Sequence, residues 1–247
     1  MSPSQQIAAM LHDARTAVAF TGAGISTDSG IPDFRSPGGI WATSTPVYFD
    51  DFLRSPESRY EYWRQKAISH RDFERAEPNA GHRTLAAWQQ SGRIARVITQ
   101  NIDGLHQIAG CQNVIELHGT ARQIGCLNCE ARFEAGAMVE QFLSADAVPD
   151  CPQCGGLLKH ATISFGQGLS PEVLEEAIAL SRAADVFLAL GSSLVVEPAA
   201  SLPRVAKQRG AKLVIINRDP TPLDDLADLV VYASIGETLT AVQAELS

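Results

Sequence analysis

The chain has 247 residues, 45% of them hydrophobic, a mean hydropathy near zero and a formal charge of −8. Such a chain can bury a full core, and one large domain with a small insertion is the expected organisation. The acidic balance argues against a nucleic-acid groove, which needs clustered Lys and Arg to displace counterions, and no apolar run approaches the roughly 20 residues of a bilayer span.

The N-terminal stretch Met1–Asp13 reads as an amphipathic helix with Ile7, Met10 and Leu11 on one side. It has no basic segment ahead of an apolar core, so it is not a signal peptide. A cytoplasmic monomer with no nucleic-acid or membrane partner is the expectation. Apolar runs follow at Ala17–Phe20, Ile94–Ile98, Val114–Leu117, Val186–Leu190, Leu213–Ile216 and Leu229–Tyr232. They alternate with helical periodicity at Gly81–Gln90, Pro171–Ala184, Pro198–Arg209 and Glu237–Leu246, with Pro171 and Pro198 suited to first-turn positions. Strand–helix alternation of this kind predicts an α/β fold, a doubly wound Rossmann-like parallel sheet. Two stretches break it. From about Ser36 to Asn79 the chain reads as a loop followed by irregular helices, and from about Thr120 to Leu158 it holds most of the cysteines. The expected division is a discontinuous nucleotide-binding domain (1–36, 80–119 and 159–247), a cofactor loop with a helical module (37–79), and a zinc-ribbon module (120–158).

Polar and glycine residues follow the apolar runs directly, where open parallel sheets gather their ligands. After the first run stands Thr21-Gly22-Ala23-Gly24-Ile25-Ser26, after the second Thr99-Gln100-Asn101-Ile102-Asp103, after the third His118-Gly119. Gly191-Ser192-Ser193 and Asn217-Arg218-Asp219 end later runs. Gly22-x-Gly24 begins a dinucleotide fingerprint, but Thr27 replaces the third glycine and no acidic strand end follows about 20 residues later. A hydride-transfer layout is therefore disfavoured, and a purely structural turn stays open on spacing alone. Cys126-x-x-Cys129 and Cys151-x-x-Cys154 have the ribbon spacing of a tetrahedral Zn²⁺ site, with chance pairs or redox dithiols as the alternative. Four thiolates leave no open position, so the ion is read as structural. Cys111 reads as an ordinary thiol, His12 and His70 as solvated surface groups, His82 as a helix residue and His106 as lacking a clear role.

Taken in order, these motifs, together with Pro32-Asp33-Phe34-Arg35 and Leu117-His118-Gly119, resemble the sirtuin family of NAD-dependent protein lysine deacylases from about Thr16 to Val242. The resemblance implies that the amides of Gly22, Ala23 and Gly24 hold the pyrophosphate of NAD. Gly191, Ser192, Ser193, Asn217 and Arg218 would hold the adenosine half, with Ile235 near adenine. Asp33, Phe34 and Arg35 would belong to a loop over the nicotinamide ribose, and Gln100, Asn101, Ile102 and Asp103 to the nicotinamide pocket. His118 would be the general base, with Asn101 beside it in the catalytic set. The implied reaction moves the acyl group of an acyl-lysine to ADP-ribose and releases nicotinamide. Protein mono-ADP-ribosyl transfer or NAD hydrolysis is the alternative enzymatic reading, and a non-enzymatic NAD-binding protein is disfavoured.

An acyl-lysine peptide would insert as an added strand between Ile163–Gly166 and Ser193–Val196, so Ile163, Phe165, Gly166, Leu194 and Val195 are the expected substrate residues. Where the family commonly shows Val-Val-x-Phe-Gly-Glu, this chain reads Thr162-Ile163-Ser164-Phe165-Gly166-Gln167, a more polar mouth. The branch that removes acidic acyl groups carries Tyr-x-x-Arg; neither Tyr60 nor Tyr62 has arginine at +3, which disfavours such acyl chains, with Arg64 or Lys66 as conceivable substitutes. Tyr62-Trp63 and Ser26-Thr27 look more like the mitochondrial-type branch, and simple packing of the aromatics in the small module is the alternative.

Overall fold

The computed structural model describes residues 1–33 and 45–246. Phe34 and Arg35, both expected at the cofactor, lie outside the described residues. Six parallel strands form the large sheet: β1 (Ala17–Thr21), β2 (Arg96–Thr99), β3 (Ile115–Glu116), β7 (Val186–Leu190), β8 (Lys212–Ile216) and β9 (Leu229–Val231). Their order across the sheet is β3-β2-β1-β7-β8-β9, so the winding reverses between β1 and β7. Doubly wound sheets bind their ligands in the crevice outside the strand ends at such a reversal.

Alternation along the strands explains why both faces are covered. Ala17 and Ala19, then Val186, Leu188 and Leu190, then Val214 and Ile216 enter one core; Val18 and Phe20, Phe187 and Ala189, and Leu213 and Ile215 enter the other. Side chains point to opposite faces with a period of two, so runs apolar at every position require helices on both sides. Helices Pro3–Asp13, Ala80–Gln90 and Ile235–Leu246 cover the first face. Pro171–Ala183 and Leu202–Gln208 cover the second. Starts are chemically marked: Ser2 caps the first helix in a reciprocal box with Gln5, and Asn79 and Ser170 accept first-turn amides.

Between these elements lies a three-stranded antiparallel sheet, β5-β4-β6, made of β4 (Gly119–Cys126), β5 (Arg132–Glu134) and β6 (Leu158–Thr162). Helices Phe49–Arg54, Pro56–Arg75 and Ala135–Ala145 pack with it around one core containing Phe52, Tyr62, Trp63, Ile124, Val139, Phe142 and Leu158. The two interruptions of the α/β pattern thus share one interior. Tyr62 and Trp63 are part of it, Trp63 donating its indole N–H to Leu158 O at 3.0 Å.

Three expectations change. The segment expected to hold irregular helices contains a regular 20-residue helix, Pro56–Arg75, whose apolar stripe is narrow, with Tyr62, Trp63 and Ala67 buried. Pro198 is not in a first helical turn: it follows a cis peptide and precedes a short 3₁₀ turn, and the α-helix starts at Leu202 with Pro203 in that role. His70 is not solvated; its side chain is only 12% exposed and its Nε2 lies 3.1 Å from Glu74. No helix among the described residues is long and apolar enough to cross a membrane.

Candidate functional site

The glycine loop after β1 and the Gly191 loop after β7 are locked together. A Cβ on Gly22 would lie 2.7 Å from Gly191 O, one on Gly24 2.8 Å from Gly191 Cα, and one on Gly191 2.5 Å from Ile25 N. Gly191 also has φ +64°, where a side chain is strained. Gly22 N–H donates to Leu190 O at 3.0 Å and Gly24 N–H to Gly191 O at 2.8 Å. Of the three amides expected at the pyrophosphate, those of Gly22 and Gly24 hold the loop crossing, and that of Ala23 has no backbone partner among the described residues.

Beneath that crossing runs a buried polar chain. Asn101, 8% exposed, places Nδ2 3.2 Å from Gly22 O and 3.1 Å from Ser26 Oγ. A carbonyl can only accept, so the amide nitrogen must face Gly22 and Asn101 Oδ1 is left as an acceptor. Ser26 Oγ donates to Asp103 Oδ2 at 2.7 Å, and Leu105 N–H donates to Asp103 Oδ1 at 2.9 Å. Both carboxyl oxygens of Asp103, 4% exposed, thus accept hydrogen bonds. Arg122 donates to the backbone oxygen of the same residue at 2.8 Å. Alongside, Thr21 Oγ1 donates to Thr99 Oγ1 at 2.8 Å, so the His106 Nε2 at 2.9 Å must donate to Thr21. The Thr99 hydroxyl oxygen accepts from Asn101 N–H at 3.0 Å.

His118 stands at the end of β3, where β4 begins. Its Nδ1 is 2.9 Å from Gln100 O. That oxygen only accepts, so Nδ1 carries the hydrogen and the Nε2 lone pair is the basic position. Burial pulls the His118 pKa below the usual imidazole value, partly offset by the Gln100 bond. Gln100 Nε2 donates to Ser192 Oγ at 2.8 Å, joining the β2 loop to the β7 loop. Two more histidines lie underneath. His82 is pulled down to about 4 by burial despite Asp103, and His106 to about 3 by burial and by His82, whose ring is 4.9 Å away edge to face.

Other expected residues fall around the crevice. Ile235 is buried next to Gly191, whose Cβ would meet it. Asn217 follows β8 and donates to Asp219 O at 2.7 Å; Arg218 lies 3.5 Å from Asp33. Ile102 is half-buried and its carbonyl accepts from Ala121 N–H at 2.8 Å. Ile163 N–H donates to His118 O at 2.8 Å, Phe165 O accepts from Phe49 N–H at 2.9 Å, and Gly166 sits at φ +82°. Phe165 and Val195 are exposed, but Leu194 is 4% exposed and points into the core. Its backbone is left-handed, at φ +52°.

The four cysteines converge, with all ligand atoms within 4.8 Å of one another. Cys126 Sγ and Cys154 Sγ are 3.5 Å apart, and Cys129 Sγ and Cys151 Sγ 3.7 Å. A tetrahedron with Zn–S of about 2.3 Å places sulfurs about 3.8 Å apart, so the donor set fits Zn²⁺. Asn128 and Cys129 amides lie within 3.5 Å of Cys126 Sγ, as a thiolate favours. β4 carries the chain from Gly119, next to His118, to Cys126, roughly 20 Å at the usual strand rise. Metal and imidazole thus sit at opposite ends of one strand, consistent with a structural ion.

Residues 22–198 match the model of the Sir2 family. This chain belongs to the Sir2 family. It is 50% identical over 237 residues to NAD-dependent protein deacetylase 1 of Bradyrhizobium diazoefficiens, covering 95% of this chain and 93% of the relative. Identity to NAD-dependent protein deacetylase 2 of Streptomyces coelicolor is 47%, covering 90% and 94%. Among solved structures, a Sir2–p53 peptide–NAD+ complex superposes with a TM-score of 0.86 at 39% identity, covering 99% of this chain and 98% of that one. A Sir2 protein bound to acetylated peptide superposes with a TM-score of 0.88 at 38% identity over the full length of both.

Several residues of this Sir2 fold were given no part in the site by the sequence reading: Ser26, Thr21, Thr99, His82 and His106 form the layer that orients Asn101 and Asp103. One signal existed. His106 lies three residues after Asp103 and opens a helical turn, but its partner Thr21 is 85 positions away.

Proposed function

We propose that this chain removes acyl groups from protein lysines at the expense of NAD, transferring the acyl group to ADP-ribose and releasing nicotinamide. The observation that carries the reading is His118, its Nδ1–H committed to Gln100 O and its Nε2 free to take a proton, beside the oriented Asn101–Asp103 pair at the β1/β7 crevice. NAD supplies a glycosidic bond with a cationic leaving group, so the protein's task is orientation, water exclusion and proton removal. Asp103, fixed by Ser26 and Leu105, accepts from the nicotinamide carboxamide. Asn101 Oδ1 accepts from a hydroxyl of the nicotinamide ribose. His118 Nε2 removes a ribose hydroxyl proton; burial lowers its pKa, so it is neutral and ready above the ordinary imidazole value. Ile163–Gly166 and the Ser193–Val196 backbone take the acyl-lysine peptide as an added strand. Cys126, Cys129, Cys151 and Cys154 hold the ion that the small module needs to fold. A cytoplasmic monomer, acting on protein substrates and not on nucleic acid or membranes, is part of the same proposal.

The test combines NAD, acyl-lysine peptides of graded acyl length and mass spectrometry. Loss of the acyl group with matching nicotinamide and O-acyl-ADP-ribose is the expected result, abolished by His118→Ala. ADP-ribose accumulating on protein, or free in solution, without need for an acyl-lysine would replace this reading with transfer or hydrolysis.

A further inference from the structure

Lys159 lies on β6 and is 2% exposed, an uncommon place for an ammonium. Its Nζ donates to His160 O at 3.1 Å, to Thr162 O, and to Gln167 Oε1 at 3.4 Å. Gln167 Oε1 also accepts from Ser164 N–H at 3.1 Å, and Gln167 N–H donates to Ser164 O at 3.0 Å. The turn from 162 to 167 is therefore closed on itself and tied at both ends to one lysine. Its middle, Ile163, is bound to the backbone oxygen of His118. The stretch assigned to the peptide is held from one side by the general base's own residue and from the other by Lys159.

The rings of Tyr62 and Phe49 lie 5.8 and 5.9 Å from Nζ, and no carboxylate among the described residues pairs with it. The charged groups that act on it are cations, Lys66 from the helix Pro56–Arg75 and Arg132 from β5; Lys66 is itself pulled down to about 8 by burial, so that its repulsion of Lys159 fades towards the top of the working range. His160 and Tyr62 beside it are neutral, burial holding the imidazole low and the phenol high. His70 is occupied by Glu74. Gln167 offers a neutral amide oxygen where a carboxylate would have balanced the lysine. An ammonium has three N–H groups and here all three are used; an amine has two and a lone pair, which must face one of the same oxygens.

We propose that Lys159 is a positioning residue for the acyl-lysine peptide: its ammonium form holds Thr162–Gln167 in register to receive the added strand, and its amine form releases that segment. The inference rests on the deacylase reading for the identity of the ligand. Burial, with Lys66 and Arg132 adding to it, pulls the Lys159 pKa down to about 7. The ammonium therefore prevails below that value and the amine above it, within the range in which enzymes work. Peptide affinity falls as pH rises, while NAD affinity, which depends on the other side of the crevice, does not follow.

The experiment measures KM for an acetyl-lysine peptide and for NAD from about pH 6 to about pH 8.5, alongside peptide binding by fluorescence anisotropy. Loss of one hydrogen bond predicts a rise of roughly fivefold in peptide KM across that interval, with NAD KM level. Gln167→Glu places a carboxylate on the ammonium, raises its pKa and should keep peptide KM low throughout. Lys159→Met should show the high-pH KM at every pH. A flat wild-type profile, or an unaltered slope in Gln167→Glu, overturns the inference. The state of the lysine is read without turnover from the ¹³Cε shift of labelled lysines and from amide exchange of residues 163–167. A protection factor at 163–167, taken against the intrinsic rate at each pH, that falls as the lysine deprotonates supports the role even if no acyl group is removed, an outcome that would sink only the deacylase reading. Protection independent of that titration removes the role even in an active deacylase.

Discussion

The crevice of the large domain and the interior of the small module solve the problem of buried polarity in opposite ways. Around Asn101 and Asp103 each hydrogen has an assigned acceptor, the histidines are neutral, and two glycine loops touch so closely that no side chain fits between them. In the small module the cysteines need an outside ion, and Lys159 is buried on carbonyl oxygens with other cations near it. The first region is preorganised by its own chain and suits chemistry that depends on fixed dipoles. On the proposed reading, the second would respond to what is bound and to proton concentration, setting an adjustable peptide seat beside a rigid reacting centre.

Removing the metal should break this contrast most. Structural Zn²⁺ in small modules contributes an apparent ~10 kcal/mol or more, so chelation should unfold the stretch around β4–β6 while the large sheet stays protected. Hydrogen exchange resolved along the chain reads this directly; uniform loss of protection would show that the two regions fold as one. His118→Ala should lower turnover by roughly 10²–10⁴-fold and leave melting behaviour intact. A chromatographic nicotinamide assay beside calorimetry checks both halves of that statement.

Acid should distinguish the regions next. His82 and His106 titrate at about 4 and about 3 in the folded chain, below their ordinary 6.5. As pH falls through 6.5 the unfolded chain takes up these protons and the folded chain does not. Stability is therefore lost progressively from 6.5 down to about 4 for His82 and about 3 for His106, on the order of 3 kcal/mol for the first and about 5 kcal/mol for the second. Urea unfolding at stepped pH should show the slope, and His106→Gln should flatten it. The smallest effect expected is that of Gly24→Ala, where the new methyl meets Gly191 Cα at 2.8 Å. Overpacking of that kind costs about 1–3 kcal/mol, and the NAD KM should rise as the loop crossing shifts. Unchanged stability in that variant would show that the two loops can separate at little cost.

Local signals carried much of the fold and the chemical set. β7 coincides with its apolar run, and β1, β8 and β9 differ from theirs by single residues, because strands buried on both faces must be apolar at every position. Motifs at strand ends pointed to Asn101, Asp103, His118 and the cysteines, since turn glycines and metal spacings are short-range patterns. Helix Pro56–Arg75 was harder to read, its buried stripe being narrow and its remaining positions mostly polar.

By itself, then, the amino-acid order determined the α/β class, the family resemblance and the residue types that could do the reaction. Tertiary structure decided which amides are left for a ligand, because the partners of Gly22 and Gly24 come from a loop some 170 positions away on β7. It decided the tautomer of His118 and the flip of Asn101, which depend on carbonyl oxygens supplied by other strands. It also decided that Lys159 is buried with no counter-ion among the described residues, since a lysine in sequence carries no mark of the oxygens and cations that fold around it. Hydrogen-bond direction and desolvation are set by neighbours in space, and neither can be read from spacing along the chain.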